Sequence, residues 1–523
     1  SGIQFHCQII KRGLDSDRFV GNCLLSLYFK SGSDYRDTLR SFDELRHKDV
    51  VSWSSIISGY VRNKMPWNAM EKYVEMLRSG VEPNAFTLSA AIKASSDAIQ
   101  LKSGESFHGV VVKCGFECNV VIVAAMIDLY GRNLQPDHCR NLFDEMCEPD
   151  AVCCTSMISA LTRCDLYEEA LGVFHMTFRN LGFPPDCYTY GSAATAVGNL
   201  ERIQQGKQLH ARAVIDGFHG NVFVDSSLVD MYAKFGMIED SRRLFDRMSV
   251  KNPVSCCALL GGYCRKDEFE AVIELFADME KDLYIFGTVL RACSGLAAVK
   301  LGKELHCQYL KKGSWRDVVI ESALVDLYAK CGCIDFAHRL FSTMPVKNLI
   351  TWNSMIGGFA QNGRGKEALQ IFGLMIEEGV KPDKITFVEL LSACSHSGLT
   401  DQGRKLFTSM NEDYEIEPEI EHYSCMVDLL GRDGRIEEAA DLISSSGFKN
   451  EASLWAALLG SCGGGGLRFA EGVATRMMEL FPDDHLSYVL LANVYRSNGR
   501  WKDSHLIWER MQRRGVKKPP GRS

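Results

Sequence analysis

The chain has 523 residues, 46% of them hydrophobic and 24% charged, with a formal net charge of −7 at pH 7. That balance excludes an intrinsically disordered chain, and no apolar run approaches the roughly 18 residues of a membrane-spanning helix. The acidity excludes a polyanion binder that works by bulk attraction; such a ligand would require local basic faces or contacts beyond phosphate.

The first residues already belong to a repeat, because "HCQIIKRGL" at His6 matches "HGVVVKCGF" at His108. No targeting segment is therefore read from them. Further on, "VVSWSSIISG" at Val50 returns as "AVCCTSMISA" at Ala151, "PVSCCALLGG" at Pro253 and "LITWNSMIGG" at Leu349. Its fifth residue changes from Ser54 to Thr155, Cys257 and Asn353.

Two more segments recur inside that long period. One runs "FTLSAAIKAS" at Phe86, "YTYGSAATAV" at Tyr188, "YIFGTVLRAC" at Tyr284 and "ITFVELLSAC" at Ile385. The other runs "RFVGNCLLSLYFK" at Arg18, "VVIVAAMIDLYGR" at Val120, "VFVDSSLVDMYAK" at Val222 and "VVIESALVDLYAK" at Val318. Three subunits per period, each the size of a helical hairpin, are the signature of a stacked array in which each repeat buries its apolar face on its neighbours.

Within one repeat, Trp352, Met355, Ile356 and Phe359 share a helical face, and "QNG" ends the helix at Gly363. Ala368, Phe372, Met375 and Ile376 then follow at i, i+4, i+7 and i+8, which predicts a second helix buried along those four residues. The fold expected is all-α: a right-handed superhelical solenoid of stacked helix-turn-helix repeats whose first helices line the ligand-bearing side.

The twenty cysteines recur at repeat positions, such as Cys293 and Cys394, inside apolar helical patterns. They read as reduced core thiols in a reducing compartment. Cys114 with Cys118, Cys331 with Cys333, and the adjacent pairs Cys153/Cys154 and Cys256/Cys257 lack a converging histidine, so no metal site and no cofactor is expected. A zinc deaminase needs His-x-Glu and Cys-x-x-Cys, and neither spacing occurs. His108, His210 and His306 share one slot, with His6 as an earlier copy, and are expected to be structural. "CGGGGL" at Cys462 lacks the Gly-Lys-Ser/Thr of a phosphate loop and reads as an interhelix turn.

With "VDLYAKCG" at Val325, "GRGKEALQIF" at Gly363 and "EHYSCMVDLLGR" at Glu421, the chain resembles plant pentatricopeptide repeat proteins of the PLS class, E subgroup. The resemblance divides it into a partial L repeat at 1–17, a P, L and S repeat array at 18–451, and E motifs at 452–523. Repeats close at Asp49, Asn84, Asn119, Asp150, Asp186, Asn221, Asn252, Asp282, Asp317, Asn348, Asp383, Glu419 and Glu451.

In that family the fifth and last residues of a repeat face one nucleotide. The resemblance therefore implies base reading by Asn22 with Asp49 (U), Ser54 with Asn84 (A), Thr155 with Asp186 (G), Ser226 with Asn252 (A), Ser322 with Asn348 (A) and Asn353 with Asp383 (U). Ser424, in the last S repeat, leans toward a purine. The chemistry is consistent: ionised Asp only accepts and suits the pairing-edge N–H of G or U, whereas Asn can donate to the bare ring nitrogen of A or C. One base per repeat gives U-A-n-n-G-n-A-n-n-A-U-n-n. Ala124, Cys257 and the L-repeat residues Ser89, Gly191, Gly287 and Val388 leave their bases open.

At the second position, Val51, Val121, Val152, Val254, Val319 and Ile350 would sandwich bases; packing at the helix start is the competing explanation. The resemblance further implies no enzyme activity in the chain, single-stranded organellar RNA as ligand, and C-to-U editing by a DYW-type deaminase recruited in trans. It also implies accessory organellar RNA editing factor proteins as partners, an address in the mitochondrion or chloroplast, and no membrane. "RRGVKK" at Arg513 would contact protein or RNA. A splicing, cleavage or stabilisation factor for organellar transcripts is the alternative within the same binding class, and a tetratricopeptide-like protein scaffold the alternative outside it.

Overall fold

The computed structural model describes residues 8–9, 11, 18–30, 39–40, 42–43, 45, 48–98, 101–146, 148–179, 181–312, 316–461, 467–482 and 484–516. Among them are 29 α-helices and no strand, and none of the helices is long and apolar enough to cross a membrane. The partial repeat with His6 and the glycine run of "CGGGGL" lie outside, or almost outside, the described residues.

The helices alternate as the repeat predicts. Leu349–Gln361 is followed by Gly363, at φ +68°, and then by Gly365–Glu377. A left-handed residue at that point reverses the chain, and glycine adopts it without a Cβ penalty. Trp352, Met355, Ile356 and Phe359 are buried as expected.

The second helix needs a correction. Ala368, Ile371 and Met375 form its buried stripe, Phe372 is half-buried, and Ile376 is exposed. Helical rotation explains this, because i+8 lies about 80° around from i whereas i+7 nearly returns to it.

The chain divides into two compact units, Ser1–Lys266 and Asp267–Ser523. In the first unit, the first helices Val50–Arg62, Ala85–Asp97, Val120–Arg132, Ala151–Arg163, Cys187–Asn199, Val222–Lys234 and Pro253–Arg265 pack side by side in one layer. Their partner helices form a second layer behind. The second unit repeats this with Leu283–Gly295, Val318–Lys330, Leu349–Gln361, Lys384–Ser397 and Ile420–Arg432, and continues into Ala452–Ser461 and Leu486–Ser497.

In each unit the core lies between the two layers, marked by the fully buried Tyr60, Tyr130 and Tyr190 in the first and by Trp352 and Tyr488 in the second. Each such aromatic contributes on the order of 1.5–3 kcal/mol of burial free energy. Every repeat thus adds core without requiring a distant partner.

The repeated histidines and cysteines belong to this packing. Nδ1 of His108, His210 and His306 lies 3.0–3.1 Å from the hydroxyls of Tyr130, Tyr232 and Tyr328. Burial holds His210 and His306 below the ordinary imidazole pKa, so both are uncharged at neutral pH. Cys293 and Cys394 are fully buried thiols, and burial pushes Cys394 up to about 11. Cys153, one of the adjacent pair, spends its thiol on the Val120 carbonyl at 3.3 Å.

Candidate nucleic-acid interface

The residue that closes one repeat is also the N-cap of the next repeat's first helix. A helix start leaves backbone N–H groups without intrahelical partners, and a preceding Asp or Asn oxygen can accept from one of them. Oδ1 of Asp49 accepts from Ser52 N, Asn84 from Thr87 N, Asp186 from Thr189 N, Asn252 from Ser255 N, Asn348 from Thr351 N and Asp383 from Thr386 N, all at 2.8–2.9 Å. Each such cap is worth about 1 kcal/mol.

Capping also fixes what the side chain offers outward. Because the amide oxygen is held by the helix, capping Asn252 or Asn348 turns its NH2 away as a donor, whereas Asp186 or Asp383 turns away a carboxylate oxygen as an acceptor. The donor-versus-acceptor difference between Asn and Asp is thereby presented in a single orientation.

The fifth residues reach these caps to different degrees. Asn353 Nδ2 donates to Asp383 Oδ1 at 3.0 Å, while Asn353 Oδ1 accepts from the Thr386 hydroxyl at 2.7 Å. Burial alone would raise the Asp383 carboxyl, but hydrogen bonds from the Thr386 backbone and hydroxyl and from Asn353 hold it below its ordinary value. Ser226 Oγ lies 3.2 Å from Asn252 Oδ1 and 2.5 Å from the Val222 carbonyl.

Two pairs are joined through a third side chain. Thr155 meets Thr189 at 2.9 Å, and Thr189 donates to Asp186 at 2.6 Å. Ser322 meets Thr351 at 2.6 Å, and Thr351 donates to Asn348 at 2.8 Å. Ser54 instead bonds back to the Val50 carbonyl at 2.7 Å, and no hydrogen bond links it to Asn84 among the described residues. Asn22 sits in Arg18–Lys30 with its Oδ1 buried and, among the described residues, without a hydrogen-bond partner. Ser424 is half-buried in Ile420–Arg432, and Glu419, ahead of that helix, pairs with Lys384.

The L repeats are built differently. At Gly191 an added Cβ would lie 2.3 Å from the Phe223 ring, so the ring of the following repeat occupies the fifth-residue slot. At Gly287 the same approach is made by Val319, at 3.4 Å.

The second-position residues are outside the core. Val51, Val121, Val152, Val254, Val319 and Ile350 are all at least 50% exposed, so none of them belongs to the buried core. Sequence reasoning missed the rest of this row: Phe19, Phe86, Tyr188, Phe223, Tyr284 and Ile385 occupy the same position and are 45–76% exposed. Tyr188 and Phe223, from adjacent repeats, have ring centroids 5.1 Å apart. The available signal was simple, an apolar residue immediately after the first residue of every first helix from Arg18 to Lys384, with Glu421 the exception that follows.

Cations at the far end of the first helices are largely neutralised. Arg132 pairs with Asp97 and Asp128 at 3.0 Å, and Arg163 with Asp128 at 2.8 Å. Lys234–Asp230, Lys330–Asp326 and Arg432–Asp428 repeat the pairing. The row of exposed rings and aliphatics beside oriented caps suits an unstacked base better than a phosphate.

Comparisons with known proteins bear on this arrangement. The PPR repeat family matches 48–96 and 347–396, the PPR repeat matches six further segments including 152–177, 226–252 and 322–349, and the E motif matches 466–523. A pentatricopeptide repeat-containing protein of Arabidopsis thaliana is 51% identical over the whole chain, which spans 86% of that relative. The chain belongs to the pentatricopeptide repeat family.

Other family members diverge further. A chloroplastic and a mitochondrial pentatricopeptide repeat-containing protein of A. thaliana are 33% and 32% identical over 98% and 100% of the chain, which spans 61% and 69% of their lengths. The crystal structure of the pentatricopeptide repeat protein PPR10 in complex with an 18-nt psaJ RNA element matches with a TM-score of 0.52 at 16% identity, covering 94% of this chain and 84% of that one. At that identity the likeness establishes the shared pentatricopeptide fold.

Proposed function

We propose that this pentatricopeptide repeat protein binds single-stranded RNA sequence-specifically, one base per reading repeat, and marks a cytidine in an organellar transcript for C-to-U editing by a deaminase acting in trans. The observation that carries the binding half is the pairing of fifth residue and oriented cap, seen most completely at Asn353 and Asp383, next to an exposed apolar row. A base held between second-position residues of neighbouring repeats would present its pairing edge to that pair.

The PPR10 complex with RNA supports this reading by its fold. The match to the E motif and the exposed Trp501 and Leu506 on its last helix, Trp501–Arg513, support a protein-recruiting tail. Chloroplastic and mitochondrial relatives support an organellar address. The chain itself is proposed to supply specificity rather than catalysis, with no cofactor.

The test is direct. The purified chain should bind an RNA carrying U-A-n-n-G-n-A-n-n-A-U-n-n and bind markedly less to one with A and G exchanged at the defined positions. Equal binding to both would sink base reading. For the editing half, loss of the protein should leave a cytidine downstream of the match unconverted; altered splicing or transcript ends, with editing intact, would overturn it.

A further inference from the structure

The six repeats with a defined base pair share a feature that the remaining repeats lack. The third residue of the helix following each closing residue is Ser52, Thr87, Thr189, Ser255, Thr351 or Thr386 after Asp49, Asn84, Asp186, Asn252, Asn348 and Asp383. After the other closing residues, Asn119, Asp150, Asn221, Asp282, Asp317, Glu419 and Glu451, it is Ile122, Cys153, Val224, Ile285, Ile320, His422 or Leu454. A hydroxyl is present in every case of the first kind and in none of the second.

These hydroxyls are not solvated surface groups. All six residues are at most 3% exposed. Four of them bond to the closing side chain at 2.6–2.9 Å, Ser52 to Asp49, Thr189 to Asp186, Thr351 to Asn348 and Thr386 to Asp383, and Ser255 bonds to the Asn252 backbone carbonyl at 2.9 Å. Thr87 meets the Asn84 carbonyl at 2.8 Å. Three also touch the fifth residue: Thr189 with Thr155, Thr351 with Ser322, and Thr386 with Asn353.

Backbone geometry follows this division only in part, because Asp150 and Glu419, ahead of Cys153 and His422, also have ψ 176°. The caps before a hydroxyl have ψ between 164° and −177° through 180°. Asn119, Asn221 and Asp317, which close L repeats, have ψ of 109–116°, and Asn221 and Asp317 reach the second backbone N–H as well as the third.

We infer that the buried hydroxyl at the third position of the next repeat is a third specificity element, a positioning residue that holds the fifth and closing side chains in one mutual orientation. This rests on the proposed RNA reading. It makes the specificity unit three residues drawn from two repeats, and it supplies a physical reason why a repeat lacking the hydroxyl has no defined base.

Thr189→Val, which keeps shape and removes the hydroxyl, tests it in the full chain. The readout is the ratio of affinities for RNAs carrying G or A at the fifth base, with the tenth base varied as an internal control. Losing the charge-assisted hydrogen bond to the Asp186 carboxylate predicts a fall of about ten- to hundredfold in the G-over-A ratio, with discrimination at the tenth base unchanged. Thr189→Ser should restore it.

Thr351→Val, read at the tenth base, and Thr386→Val, read at the eleventh, repeat the test if Thr189→Val melts early. Wild-type discrimination that persists unchanged in the Val variants overturns the inference, as does a loss spread evenly over all bases. A wild-type chain with no preference at any base overturns the RNA-reading proposal itself.

Discussion

Asp383 and Asp317 both close a repeat and both cap the helix that follows, yet only one is joined to a fifth residue. Asp383 has ψ −177°, caps through Thr386 and receives Asn353. Asp317 has ψ 114°, caps through Val319 and Ile320, and is preceded by a repeat whose fifth residue is Gly287, approached by Val319. The same carboxylate is thus joined to a fifth residue in one setting and only caps a helix in the other. Residue type alone does not assign its role; the neighbours at the fifth and third positions do.

The sharpest way to break the contrast is to rewrite one side of it. Asn353→Ser with Asp383→Asn should move the preference at the eleventh base from U to A, a change of about 1–3 kcal/mol in relative affinity for a well-formed polar pair. Asp317→Asn should leave every base preference unchanged, as read by the same binding titrations.

The exposed row should act on both kinds of repeat alike. Tyr188→Ala combined with Phe223→Ala should weaken binding by about 1–3 kcal/mol for each base stack lost, equally for matched and exchanged RNAs. A loss confined to the matched RNA would show that these rings report sequence rather than hold bases.

Stability separates the two aspartates more gently. Asp317→Ala should cost about 1 kcal/mol in urea unfolding, as a lost cap, and Asp383→Ala somewhat more because it also strands the buried Asn353 amide. The smallest expected effect is on pH. The Asp383 carboxyl is held below its ordinary value, so its contribution is present above the unfolded-state carboxyl pKa and disappears as pH falls through the lower folded value. Asp383→Asn should flatten that acid limb in unfolding titrations.

The helical hairpins, their buried faces and the closing residues were legible in the sequence because a repeated pattern averages over local noise. Ile376 was misplaced, since apolarity at i+8 does not distinguish the centre of a stripe from its edge. The second-position row was only half found. An apolar residue in a first helical turn looks the same whether it packs inward or faces solvent, and Tyr188 or Phe223 reads most simply as core. The third-position hydroxyls escaped altogether because Ser and Thr near a helix start suggest a cap or a solvated site. Their burial against the preceding repeat is a tertiary fact.

The overlap between cap and reader also sets where this array can be cut. A module excised at the first residue of its helix takes its fifth residue along but leaves behind the hydroxyl of Thr189 or Thr386 that orients its closing side chain. Grafts meant to reprogram a target should therefore splice after the third helical residue, in the first turn, so that each transplanted letter travels with the clasp that keeps it upright.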